Sequence, residues 1–155
     1  MTRNPNFEVR TKYVMSNVTL FYPKVFRDHL DEYEGKERYK VTLALEPEKA
    51  AKMEDQGFNI KYDEDNNAFV DAFRNKMIKK NTKEMPPPII KFADGTPYDV
   101  DVHGFIGNGT VADVHVNSVY TKVGKEVYLP MYLDEIHIIE LVPYGGDAVD
   151  GDSVI

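Results

Sequence analysis

Apolar residues recur with two different periods along the chain. Over 39–45, Tyr39, Val41, Leu43 and Leu45 alternate with Lys40, Thr42, Ala44 and the following Glu46, the period of a half-buried strand. Residues 13–22 read as a partner strand, Pro47 ends the second strand, and the charged stretch 23–38, which holds Gly35, reads as a surface loop. Residues 48–91 differ in character. A short helix is expected over 48–55, closed near Gly57. A longer one is expected over 67–80, where Phe69, Val70, Phe73, Met77 and Ile78 fall at helical spacing and late basic residues suit the negative end of the helix dipole. Pro86-Pro87-Pro88 is a stiff break into a second β block.

In that block Val100 and Val102 alternate with Asp99, Asp101 and His103, and after Gly107-Asn108-Gly109 the residues Val114 and Val116 alternate with Asp113, His115 and Asn117. A three-residue loop, 107–109, would pair Ile106 with Thr110 and put all four valines on one face, with Gly109 in a left-handed bulge position. A further strand is expected to run to Val123, Gly124 turns the chain, and 126–142 supplies the last strands, interrupted near Pro130. The expected fold is mainly β: an OB-fold-like antiparallel β-barrel with a helical insert between the N-terminal and C-terminal strands. Residues 1–144 form the barrel domain, 48–91 its helical and loop insert, and 145–155 a flexible acidic C-terminal tail.

Charge sharpens this picture. The net charge is −7, yet residues 1–125 hold all 19 Lys and Arg against 19 of the 26 acids, and residues 126–155 hold the other 7 acids and no Lys or Arg. The acidity therefore belongs to the C-terminal end, and a neutral body with a local basic patch still attracts phosphate. No cysteine is present, which excludes disulfides, thiolate metal sites and cysteine nucleophiles. No apolar run is long enough to span a bilayer, and the N-terminal residues do not read as a signal peptide, so a cytoplasmic protein without membrane contact is expected.

Ten Tyr and eight Phe accompany no Trp, and several tyrosines neighbour cations: Tyr22 with Lys24, Arg38 and Lys40 around Tyr39, Tyr120 with Lys122, and Lys125 near Tyr128. Interleaved cations and rings suit an unpaired strand, because cations track phosphates while rings stack on bases of any sequence. Core packing of the rings explains the same residues one by one, and the alternation already places Tyr39 beside Val41 and Leu43. The stretch Arg74, Lys76, Lys79, Lys80, Lys83, Lys91 is the most basic in the chain, either a phosphate-contacting segment or a solvated surface. Asp99, Asp101, His103, Asp113 and His115 would face one another across the expected hairpin, either as a zinc or manganese site or as cross-strand ion pairs. No phosphate-cradling glycine loop and no serine nucleophile elbow appears, so no cofactor and no catalytic residue is assigned. In the tail, Asp147, Asp150 and Asp152 form an acidic stretch after Gly145-Gly146, suited to basic partner surfaces.

Two stretches carry a family resemblance. Val18-Thr19-Leu20-Phe21-Tyr22-Pro23, followed by Tyr39-Lys40-Val41-Thr42-Leu43-Ala44-Leu45-Glu46-Pro47, resembles the opening of bacteriophage single-stranded DNA-binding proteins. Ile106-Gly107-Asn108-Gly109-Thr110, with Gly124 and Ile136-His137-Ile138-Ile139-Glu140-Leu141, resembles their closing strands. The resemblance covers both β blocks and leaves the insert largely unmatched. It implies a non-enzymatic OB-fold protein that coats single strands in phage replication and recombination, in the host cytoplasm, and contacts replication or recombination proteins through its acidic tail. This tail departs from the pattern in having three aspartates and no terminal aromatic.

The expected function is therefore sequence-tolerant binding of single-stranded DNA. Tyr22, Tyr39, Tyr98, Tyr120 and Tyr128 are the candidate stacking rings. Lys24, Arg38, Lys40, Lys79, Lys80, Lys91, Lys122 and Lys125 are the candidate phosphate contacts. Two other readings stay open: a protein-interaction or virion structural β-module, and a metal-dependent nuclease built on the Asp/His hairpin. RNA as ligand and the choice between monomer and homodimer also stay open.

Overall fold

The computed structural model describes residues 10–27, 29–78, 82–119 and 121–144, and the side chains of 121–123 and 126–128 lie outside that description. The strands are β1 (Thr11–Lys24), β2 (Asp31–Tyr33), β3 (Lys36–Leu45), β4 (Lys61–Tyr62), β5 (Ala68–Asn75), β6 (Met77–Ile78), β7 (Lys83–Glu84), β8 (Ile89–Phe92), β9 (Val111–Ser118), β10 (Thr121–Val123), β11 (Glu126–Tyr128) and β12 (Tyr132–Glu140). Two helices interrupt them, α1 (Pro47–Gln56) and α2 (Val100–His103).

Five of the strands close a barrel. β1 pairs antiparallel with β3 and β9, β9 with β12, and β3 with β5. The ring closes where β12 meets β5 in parallel, at Tyr132 opposite Phe73, with the Phe73 N–H donating to the Met131 carbonyl at 3.0 Å. Numbered among themselves, the barrel strands run 1-2-3-5-4-1, a closed five-stranded OB-fold. β8 adds a parallel strand along the far half of β12.

Alternation explains why these segments fill the barrel. Val41 and Leu43 of β3, Val70 and Ala72 of β5, Val114 and Val116 of β9, and Leu133, Ile136 and Ile138 of β12 all point inward and are buried together. Helix α1 starts at Pro47, which fits the first turn because its missing N–H has no partner there anyway. Ala50 and Met53, one turn apart, bury its inner face.

Three expectations are corrected. The longer helix over 67–80 is not formed; its first part is β5. Phe69, Val70 and Phe73 imitate a helical stripe, but Ala68, Val70 and Ala72 are buried while Phe69, Asp71 and Phe73 face outward, a period of two. Eight consecutive register pairs with β3 outweigh the local pattern. The hairpin joining 99–106 to 110–117 is also absent. Asp99 accepts the Asp101 N–H at 2.9 Å and caps the short helix α2, and Ile106 bridges Pro143 rather than Thr110. The glycine turn itself stands. Gly109 has φ +96°, and a Cβ on Gly107 would lie 2.4 Å from the Pro143 carbonyl oxygen, so neither position accepts a side chain without strain. Finally, the loop 23–38 holds β2, which turns into β3 through Glu34 and Gly35, both at positive φ, as a tight hairpin requires.

Candidate nucleic-acid interface

The outward residues of β3 and β5 make one surface. In register, Lys40 lies opposite Phe73, Thr42 opposite Asp71 and Ala44 opposite Phe69. Phe21 and Tyr22 of β1 border this face at one end, and Lys61 of β4, paired with Phe69, borders it along the side. Together they line a groove of about 740 Å³. A second cavity of about 320 Å³ continues past Lys61 and Asp71 to Tyr33, Arg38 and Phe73.

Rings and cations interlock along this band. The Arg38 guanidinium lies 4.5 Å from the centre of the Tyr33 ring and 5.3 Å from that of Phe73, and its Nε donates to Asp31 at 2.9 Å. Phe73 meets Tyr132 edge-on at 5.3 Å, and Arg10 covers the other end of the row, 5.5 Å from the Tyr132 ring. Arg10 also donates to the Asn117 side-chain Oδ1, and the Asn117 side-chain Nδ2 donates to both carboxylate oxygens of Asp134 at 2.7 and 2.8 Å. These contacts fix planar faces and positive charge before any ligand arrives.

Asp71 stands at the centre. Its carboxylate accepts the Thr42 hydroxyl at 2.7 Å and the Lys61 ammonium at 3.0 Å, with the Lys40 ammonium at 3.7 Å. Burial pushes its pKa up, but the Thr42 hydrogen bond and the two lysines outweigh that and hold it below the usual carboxylate value. Tyr22 has a different support. It sits in a bulge of β1 at φ +50°, its N–H donates to the Asn108 side chain, and the residue is 66% exposed. A bulge of this kind re-aims a side chain, and here it projects the ring at the groove's rim.

The sequence-chosen residues divide. Tyr22, Arg38 and Lys40 lie on this surface, and Lys24 lies beside Tyr22 in a smaller cavity that Tyr144 also lines. Tyr39 is a correction: it is fully buried, on the same side of β3 as Val41, and its hydroxyl has no hydrogen-bond partner among the described residues. Tyr98 is held away from the groove, packed against Phe26, Phe92 and His103, with its hydroxyl donating to the Gly104 carbonyl at 2.6 Å. Lys91, on β8, lies 3.9 Å from Glu135, and Lys125 is exposed in the turn between β10 and β11. Lys79, Lys80, Tyr120 and the tail aspartates Asp147, Asp150 and Asp152 lie outside the described residues, as do the side chains of Lys122 and Tyr128. Reading the sequence missed Arg10, Tyr33, Lys61, Phe69, Phe73 and Tyr132. The alternation Phe69, Asp71, Phe73 was a usable signal, hidden by the helical assignment of that segment.

The Asp/His residues also separate. His103 is in α2 against Phe92, Asp113 accepts the Asn17 N–H at 2.8 Å, and His115 stacks 4.3 Å from His137. Among the described residues no three carboxylate or imidazole groups converge as metal ligands.

No protein-family model matches the sequence, and no curated protein matches it. Solved structures do match. The single-stranded DNA-binding protein from bacteriophage Enc34 in complex with ssDNA superimposes with a TM-score of 0.61 at 14% identity, over 86% of this chain and 89% of that one. The gp2.5 protein, a single-stranded DNA-binding protein encoded by bacteriophage T7, gives 0.59 at 17% identity, over 95% and 96%. At such identities the shared property is the barrel fold.

Proposed function

We propose that the protein binds single-stranded DNA sequence-tolerantly along the outer face of β3 and β5, without catalysis. The observation that carries this reading is the band Phe21, Tyr22, Phe69, Phe73, Tyr132 interleaved with Arg38, Lys40 and Lys61. Outward-facing rings, Tyr22 exposed and the others half-buried, supply stacking platforms and the cations follow the phosphates. The position supports it too, since the face of the second and third barrel strands and the loops beside it are where OB-folds take oligonucleotides. A solved structure of similar fold, that of the Enc34 protein, holds single-stranded DNA. The role is that of a strand-coating protein in phage replication or recombination, acting in the host cytoplasm. The acidic stretch Asp147, Asp150, Asp152 serves as its contact for basic surfaces of replication or recombination proteins.

Titration of labelled dT oligomers across a salt series, with duplex and RNA controls, tests the reading. Tight single-strand binding that weakens as salt rises, with little affinity for duplex, is expected. Absence of binding at low salt would overturn it in favour of a protein-interaction module.

A further inference from the structure

Two carboxylates line the groove: Asp63 is taken up by the backbone and side chain of its own turn, whereas Asp71 stands among the rings and cations. Asp71 lies on the outward face of β5 between Phe69 and Phe73, and it lines both cavities of the band. Residues two apart on a strand are spaced by about 7 Å, so a base stacked on either ring brings its edge to the carboxylate between them. An anion in a groove for a polyanion lowers affinity for every sequence. Its side chain keeps 16% of its surface exposed, with Lys61 and Lys40 at Oδ2 and the Thr42 hydroxyl at Oδ1, while two carboxylate oxygens accept about four hydrogen bonds. Those contacts fix the direction of the carboxylate and leave it able to accept another donor.

We propose that Asp71 reads base identity: its carboxylate accepts the exocyclic amino group of a cytosine seated on Phe69 or Phe73, and disfavours uracil or thymine, which present an oxygen at that position. The inference rests on the single-strand reading above and adds a base preference to it. The chemistry is the acceptance of the cytosine amino group by an acidic side chain. A phosphate flanking the chosen base reaches Lys40 or Lys61 in competition with Asp71, which lies 3.7 and 3.0 Å from their ammonium groups.

The test compares oligo-dC with oligo-dU of equal length on the full chain at neutral pH, which removes the thymine methyl group as a variable. The wild-type chain should bind oligo-dC about threefold to tenfold more tightly. In Asp71→Asn the two oligomers should bind equally well, neither more weakly than oligo-dU binds the wild type. Oligomers of N4,N4-dimethylcytosine, which lack the donor, should bind the wild-type chain like oligo-dU, and this arm does not depend on the variant folding. Equal binding of oligo-dC and oligo-dU by the wild type would overturn the proposal, as would an unchanged preference in a folded Asp71→Asn or for the dimethylated base. Failure to bind any of the oligomers would overturn the single-strand reading itself, and the base preference with it.

Discussion

Replacement of Phe73 by leucine separates the ring's role in the groove from its role in packing. Leucine retains most of the buried volume at this outward, half-buried position and removes only the aromatic face. On the protein side the loss is the edge-on contact with Tyr132 at 5.3 Å and the Arg38 guanidinium at 5.3 Å. An aromatic pair contributes about 0.5–1.5 kcal/mol beyond its area, which leaves a domain of typical stability folded. On the DNA side a ring that stacks on a base contributes about 1–3 kcal/mol, so Kd should rise from about fivefold to more than a hundredfold. The assay is a fluorescence titration of labelled dT oligomer at fixed low salt, with thermal melting by circular dichroism as the check on folding. Phe92→Leu is the matched control, because Phe92 packs against Tyr98 and His103 away from the groove, and its affinity should not change. A folded Phe73→Leu that binds dT within about twofold of wild type, where stacking demands more, would refute the assignment of this face.

Three further outcomes follow from the same geometry. Tyr39→Phe removes a fully buried hydroxyl that has no partner among the described residues, so it should stabilise the fold by about 1 kcal/mol and leave dT affinity unchanged; a lower melting temperature would show that the hydroxyl is satisfied, and lost binding in a folded variant would return Tyr39 to the site. Burial pushes the Tyr98 phenol from 10.0 up to about 12, so the folded state holds this proton more tightly than the unfolded chain. Its contribution to stability is complete below pH 10 and is lost as pH rises through about 12, and Tyr98→Phe should make the alkaline decline shallower, leaving the part that the raised Tyr39 phenol contributes. If Arg10, Arg38, Lys40 and Lys61 carry the phosphate contacts, the log–log salt slope should be no steeper than about −3, at about 0.7 per phosphate, and a markedly steeper slope would place cations outside this surface in contact with DNA.

The barrel was legible where one face of a strand is polar and the other apolar. β3 shows this in full, and its alternation already placed Tyr39 with the core residues Val41 and Leu43. The same rule, applied locally, failed for β5. Phe69 and Phe73 face outward although they are its largest apolar side chains, because the groove surface uses them, and their spacing then counterfeits a helix. It failed again at 99–103, where an alternating Asp-Val pattern is the capped turn of α2 and Val102 is 71% exposed. In both segments an apolar residue stands outside, where the periodicity argument takes every apolar residue to be inside.

The site was harder to read than the fold, for a related reason. Neighbouring in sequence selects pairs such as Arg38-Tyr39 or Tyr39-Lys40, but consecutive strand residues point to opposite faces. The cation that meets a ring here comes from the neighbouring strand, as Arg38 of β3 does over Phe73 of β5 and over Tyr33 of β2. Net charge misleads in the same way. The cations of the groove are already matched to acids, Arg38 with Asp31 and both Lys40 and Lys61 with Asp71, so the chain can be acidic overall and still present them. A phosphate that reaches Lys61 competes with a carboxylate 3.0 Å away, which exchanges one ion pair for another rather than creating a new one. Affinity built this way rests more on the rings than on charge, and two of those rings, Phe69 and Phe73, were the residues that periodicity assigned to a helix.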